Sequence, residues 1–393
     1  MRGVVVSLSL AVLTALLSSA TDTDVSTERN NKIRIATVTD THIGEGCNGD
    51  LSYDNCIPVR ALTDAVKHMN SLVPKLDGVF VTGDLTSSAL KEEFVKIREI
   101  LDALEMPYWP VLGNHDSWPY VKSADGSFTE TDTPIGDQYF TEVFSDIVSG
   151  EAYNKKAAPL STSSTQGWPR EACLNQDFGF QSHFHNFYVE FPNFSDKFTF
   201  LALDWVARGS AAPYAGVGPE AELHNFPCGT MEWLSNTLSS HAERNKENRF
   251  FIMQHHPFRN RDIWDPYGKN EVKNFTFDDD QDKQIEQVLA AYYNVENYLG
   301  AQAGHLHRWF NGSAFTKYTA FTDSFLNFPE WETAACKGWV VDSKFLSAFS
   351  VFTFAKNASN NDNVFLDNVM GHWIVPSGEW RVKPVLDKGP TSA

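Results

Sequence analysis

Short apolar runs rich in β-branched residues alternate with stretches in which apolar residues recur at helical spacing, and this alternation organises most of the chain. The first run, Ile33-Arg34-Ile35-Ala36-Thr37-Val38-Thr39, stops at Asp40-Thr41-His42. Past a small loop between Cys47 and Cys56, Pro58 opens a segment whose Val59, Leu62, Val66 and Met69 share one stripe, which predicts a helix. Gly78-Val79-Phe80-Val81-Thr82 reads as a buried strand ending at Gly83-Asp84, and Leu90, Phe94, Ile97, Leu101 and Leu104 mark the helix after it. A third run, Tyr108-Trp109-Pro110-Val111-Leu112, ends at Gly113-Asn114-His115-Asp116. This order predicts a layered α/β fold with its functional groups at the carboxyl ends of the strands.

From Trp118 to Asp177 the periodicity disappears and Ser, Thr, Gly, Asp and Pro dominate, which predicts an irregular insertion (118–177) packed over the site. Order resumes at Phe187-Tyr188-Val189-Glu190-Phe191 and from Phe198 to Trp205, and a short helix is expected from Glu232 to Leu238. Phe250-Phe251-Ile252-Met253-Gln254 runs into His255-His256-Pro257. Ile285, Val288, Leu289 and Tyr292 share a helical face, and Tyr298-Leu299 leads to Gly304-His305-Leu306-His307. The aromatic segments Phe345 to Phe354 and Trp373 to Val375 are assigned to the second sheet and to a β-rich C-terminal extension, 313–393, packed on the same domain. No internal repeat is present.

The tips carry groups that bind cations or move protons. Asp40 and His42, two apart, share a face if the backbone stays extended, and so do His305 and His307. Together Asp40, His42, Asp84, Asn114, His255, His305 and His307 form an oxygen and nitrogen set suited to two divalent or trivalent first-row ions. Adjacent residues of an extended chain point apart, so His115 is free to protonate a leaving oxygen if Asn114 coordinates. Asp116 is expected to orient His115 or the turn. His256 reads as a substrate contact or as a structural residue. Trp118 and Tyr120 either stack on substrate or simply pack. His183 and His185 mimic a ligand pair but are left out because the donor set is already complete. Asp204 reads as a structural acceptor.

The first residues change the expected location. Met1 and Arg2, an apolar stretch from Val4 to Leu17 and then Ser18-Ser19-Ala20 read as a signal peptide, 1–20, with the mature chain starting near Thr21. A secreted product, or one in the lumen of a secretory, lysosome-type or vacuole-type compartment, is expected, with no transmembrane anchor. Sequons at Asn193, Asn274, Asn311 and Asn357 fit glycosylation on that route. Of five cysteines, Cys47 and Cys56 are paired first, Cys173 and Cys228 form a second candidate pair, and one thiol is left over. The net charge of −18, from 32 basic and 50 acidic residues, disfavours binding long nucleic acid through its phosphates.

In order, Asp-x-His, Gly-Asp, Gly-Asn-His-Asp, His-His-Pro and Gly-His-x-His resemble the calcineurin-like metallophosphoesterase superfamily from about Ile33 to Arg308. The resemblance implies a domain over 30–312 built as a four-layer α/β sandwich, two mixed β-sheets flanked by helices, with a dinuclear site at the strands' C-terminal ends. It implies one metal on Asp40, His42 and His307, a second on Asn114, His255 and His305, and Asp84 bridging them, with iron, zinc or manganese as the ions. Purple acid phosphatases of this superfamily carry a tyrosine three residues after the bridging Asp; Ser87 stands there, so tyrosinate-bound iron is not expected. The expected chemistry is in-line attack on a small phosphate ester by a metal-bridging hydroxide, with His115 as general acid. The substrate is expected to be a phosphomonoester, as for acid phosphatases, or a diester of a nucleotide or lipid head group. A reading from another class is a secreted, non-catalytic binding protein on the same scaffold. Such a protein would be expected to have lost part of its ligand set, whereas here all seven positions and His115 are filled.

Overall fold

Each sheet grows around strands that are buried along their whole length. The chain begins with β1 (Lys32–Val38), α1 (Ile57–Ser71), β2 (Gly78–Thr82), α2 (Lys91–Leu101) and β3 (Tyr108–Val111). Pro58 sits in the first turn of α1, where a missing N–H costs no helical bond, and Val59, Leu62, Val66 and Met69 are buried as their spacing requires. The computed structural model describes residues 32–117, 120–122, 128–130, 135–148, 173–175, 180–182, 184–191, 198–207, 221–258, 277, 279–307, 310–313, 326, 328–333, 335–337, 339–341, 344–346, 348–357, 360–374 and 380–384.

The later elements are α3 (Ile135–Val148), β4 (Phe187–Glu190), β5 (Phe198–Leu203), α4 (Thr230–Arg244), β6 (Arg249–Gln254), α5 (Asp279–Tyr292), β7 (Tyr298–Ala303), β8 (Phe310–Ser313), β9 (Pro329–Glu332), β10 (Ala348–Asn357), β11 (Asn360–Ile374) and β12 (Trp380–Pro384). They complete two mixed six-stranded sheets, ordered β12-β11-β10-β1-β2-β3 and β8-β9-β7-β6-β5-β4. Strands β1, β2 and β3 run parallel, as do β5, β6 and β7, so both sheets deliver their C-terminal tips to one edge. An aromatic layer with Ile35, Phe80, Trp109, Phe200, Phe251, Trp331, Phe352 and Phe354 fills the space between the sheets. Apolar residues of α1, α2 and α3 cover the first sheet, and those of α4 and α5 cover the second. Phe251 lies against the rings of Phe200, Trp331, Phe352 and Phe354. Phe251→Ala should therefore lower stability by about 4 kcal/mol in denaturant unfolding, through lost transfer energy and a residual cavity.

Two expectations need correction. The aromatic segment ending at Phe354 belongs to the first sheet, not the second: β10 lies antiparallel to β1, with Lys32 opposite Ala355 and Thr37 opposite Ser350. Trp373 lies on β11 in that same sheet, and Phe345 on a two-stranded ribbon of Trp339–Val341 and Lys344–Leu346. Alternation marks a half-buried strand but says nothing of which neighbour it pairs with. The insertion is also not wholly irregular, because it contains α3, whose Phe140, Phe144 and Ile147 are buried and whose Asp146 takes a forked bond from Arg98 of α2 at 2.6 and 2.9 Å.

Cys47 and Cys56 form a disulfide across nine residues, Cys228 is disulfide-bonded and Cys336 is a buried free thiol. The side chain of Cys173 lies outside the described residues, as do residues 1–20, Asn193, Asn274 and the side chains of Asn311 and Asn357. Among the described residues no helix is long and apolar enough to cross a membrane.

Candidate metal centre

The tips do not continue the strands. Asp40, His42, Asp84, His305 and His307 have φ of 51°, 41°, 47°, 71° and 54°, in the left-handed region that ordinary residues avoid. The expected pairs on one extended face are thus replaced by turns that swing each side chain inward. Such backbone costs roughly 1–3 kcal/mol per residue and persists only where its surroundings fix it. Here Asp40 N–H donates to Gly83 O and His42 N–H to Asp84 O, both at 3.0 Å, so the first two tips are bound together. Two motif glycines make the crowding tolerable. A Cβ at Gly113 would lie 2.3 Å from Asp84 Oδ1, and one at Gly304 would lie 1.9 Å from Thr39 Oγ1 and 2.7 Å from Asp40 Oδ2.

All seven sequence-predicted ligands are brought together. Asp40, His42, Asp84 and His307 offer ligand atoms within 4.8 Å of one another, and so do His255, His256 and His305. His42 Nε2 lies 3.0 Å from His307 Nε2 and 3.4 Å from Asp84 Oδ2, and His307 Nε2 lies 3.2 Å from Asp40 Oδ1. On the other side, His255 Nε2 lies 3.3 Å from Asp84 Oδ1, 3.1 Å from Asn114 Oδ1 and 3.1 Å from His305 Nδ1. Around a cation with bonds of about 2.1 Å, neighbouring ligand atoms stand about 3.0 Å apart in an octahedron and about 3.4 Å apart in a tetrahedron. The observed separations cover that interval. Asp84 directs one carboxylate oxygen to each group, which is the arrangement of a bridging ligand.

The protonation pattern also fits a cation. His255 Nδ1 donates to Thr82 O at 3.0 Å, so in a neutral ring Nε2 presents a lone pair to Asp84 Oδ1 and Asn114 Oδ1. Burial works against a charge on His255, but the carboxylates of Asp84 and Asp40 outweigh it and push the imidazole up to about 9. Burial opposes ionisation of Asp84, yet the imidazoles of His255, His115 and His42 hold it well below the usual carboxylate range. Burial, reinforced by neighbouring imidazoles, holds His42 and His305 well below the usual histidine range, which keeps their lone pairs available.

His115 stands outside the cage. Asn114–Ser117 forms a single helical turn rather than extended chain, and His115 Nδ1 meets Ser87 O at 2.9 Å while its ring packs edge-on against His42. Asp116 does not reach the His115 ring. Its carboxylate accepts from Gly113 N at 2.8 Å, Leu85 N at 3.1 Å, Thr86 N at 2.8 Å and Thr86 Oγ1 at 2.9 Å, so it fixes the second and third tips to each other. Burial and the nearby Asp84 push it up to about 7. Asp116→Ala would strip three buried backbone N–H groups, those of Gly113, Leu85 and Thr86, of their acceptor, while the Thr86 hydroxyl keeps His115 O at 3.0 Å. A loss of about 4 kcal/mol in chemical denaturation is expected.

His256 is fully buried, with its ring 5.0 Å from that of His255 and 4.6 Å from that of His305. Asp204 is the expected structural acceptor, taking Val206 N at 3.1 Å and His185 N at 3.0 Å. Trp118, His183 and the side chain of Tyr120 lie outside the described residues. Sequence reasoning missed Ser87 as a partner of His115, because a backbone carbonyl leaves no mark on residue type.

A stretch of 88 residues is 36% identical to a probable glycerophosphodiester phosphodiesterase, GpdQ, of Arcobacter nitrofigilis, covering 22% of this chain and 32% of that protein. The chain therefore matches only about a third of that relative's length. Among solved structures, the purple acid phosphatase PPD1 of yellow lupin aligns at 14% identity and TM-score 0.43 over 88% of this chain and 52% of its own. The 5'-nucleotidase of Candida albicans aligns at 13% identity and TM-score 0.36 over 81% and 47%. The family model for calcineurin-like phosphoesterase matches residues 33–308, the same span that carries the caged tips. On that match the chain belongs to the calcineurin-like phosphoesterase family.

Proposed function

We propose that the protein hydrolyses small phosphate esters at a dinuclear metal centre, with phosphodiesters the favoured class. The observation that carries this reading is Asp84, whose Oδ2 faces His42 at 3.4 Å and whose Oδ1 faces His255 at 3.3 Å. Asp40, His42 and His307 would hold one ion, and Asn114, His255 and His305 the other, drawn from iron, zinc and manganese. When bound, such a pair supplies Lewis acidity, which activates water near neutral pH and screens the phosphoryl oxygens. The remaining work belongs to the chain. Because Ser87 O can only accept, His115 Nδ1 carries the proton of that bond; the imidazolium gives its second proton, from Nε2, to the leaving oxygen and is left as the neutral Nδ1–H ring. Asp84 Oδ1 accepts from His115 N at 2.9 Å, tying the proton donor to the bridging carboxylate.

The stretch shared with a probable glycerophosphodiester phosphodiesterase favours diesters over monoesters. The complete donor set speaks against a non-catalytic role. Residues 1–20, the sequons and the Cys47–Cys56 disulfide support action outside the cytosol. The test is turnover of aryl phosphate, bis-aryl phosphate and nucleotide esters by protein loaded in turn with iron, zinc and manganese. Bis-aryl phosphate is expected to turn over fastest. No hydrolysis of any ester by any loaded form would overturn the proposal.

A further inference from the structure

Behind His115 lies a brace that the ligand cage does not use. Beyond the first two tips the chain segments stay side by side: Ile43 N–H donates to Leu85 O at 3.0 Å, and Ser87 N–H returns to Ile43 O at 2.9 Å. Ser87 O receives His115 Nδ1–H, and the next residue, Ser88, donates its N–H to Glu93 Oε2 at 2.9 Å. Glu93 lies in the first turn of α2, and its side chain turns inward, leaving the residue 5% exposed. The other carboxylate oxygen fills the space beside Gly44, which has φ of +107° and whose missing Cβ would sit 1.9 Å from Glu93 Oε1. Burial pushes this carboxyl up to about 7.

We propose that Glu93 is a positioning residue for proton transfer, anchoring Ser87-Ser88 so that the Ser87 carbonyl holds His115 in one tautomer and one rotation. The proposal rests on the reading of His115 as the proton donor to the leaving group. Without the brace, the Ser87 carbonyl is free to turn, and His115 Nε2 loses its fixed aim.

The test uses full-length, zinc-loaded protein with 15N-labelled histidine, comparing wild type with Glu93→Ala and Glu93→Gln. Wild type is expected to show His115, in its neutral form, as a single Nδ1–H tautomer, the state left once Nε2 has given up its proton. Glu93→Ala should show averaged tautomers, and Glu93→Gln, which keeps an acceptor for Ser88 N–H, should restore the single form. In turnover, Glu93→Ala should lower kcat on alkyl esters by about 10- to 100-fold, with KM and bound zinc nearly unchanged. It should have no further effect in a His115→Ala background. A single Nδ1–H tautomer in Glu93→Ala, or an equal fall in kcat when His115 is absent, would overturn the proposal. If Glu93→Ala does not fold, Glu93→Asp, which keeps the charge but shortens the reach, takes its place with the same expected outcomes. The spectrum needs no substrate, so a protein without esterase activity would refute the proposed function and leave the brace to be judged by its tautomer.

Discussion

Asp84→Asn is expected to lose bound metal and ester hydrolysis together. The substitution replaces one oxygen of the carboxylate proposed to bridge the two ions with an amide nitrogen, which cannot coordinate. It also removes the buried negative charge that faces His42 Nε2 at 3.4 Å and His255 Nε2 at 3.3 Å. If the nitrogen takes the Oδ1 position, it further opposes the backbone N–H of His115, which now donates to Asp84 Oδ1 at 2.9 Å. Removing an outer partner of a metal ligand costs about 10- to 100-fold in affinity or activity, so loss of a shared ligand should exceed that. Elemental analysis after dialysis, alongside turnover, checks the outcome, and circular dichroism confirms the fold. A variant that keeps both ions at full occupancy would show that Asp84 does not bridge.

His115→Ala should separate chemistry from metal binding. The ring bonds Ser87 O through Nδ1 and packs against His42 without joining the seven proposed ligands, so metal content should stay near that of the wild type. General acid catalysis contributes about 100- to 10,000-fold, and it matters most where the leaving oxygen is strongly basic. The variant should therefore lose that factor in kcat on alkyl esters and far less on nitrophenyl esters. Equal kinetics on both classes would remove His115 from the mechanism.

The candidate ligands were legible as a set because each follows an apolar run; that side chains from other strands crowd Gly83, Gly113 and Gly304 appears only in the structure. The backbone that delivers those ligands was not legible. Left-handed φ at Asp40, His42 and His307 is imposed by neighbouring tips, and a residue-by-residue reading assumes extended chain there. Helix α3 was hidden for a related reason: its apolar stripe of Phe140, Phe144 and Ile147 is short and set among Ser, Thr and Gly. In sequence Glu93 is one of three consecutive charged residues, Lys91-Glu92-Glu93, and nothing in that run distinguishes it from its neighbours, whereas in the structure it alone of the three is buried. Asp116 could be read as orienting either the histidine or the turn, and its bonds to Gly113, Leu85 and Thr86 select the turn.

The antiparallel seating of β10 on β1 bears on how the protein can be divided. The family match stops at residue 308, yet the partner of β1 over Lys32–Thr37 comes from 350–355. A recombinant fragment trimmed to the matched span would leave β1 with bare amides and carbonyls along one side, next to the tip that carries Asp40 and His42. Such a truncate should aggregate or recruit foreign strands, and poor metal uptake by it would report a missing neighbour rather than a defective ligand.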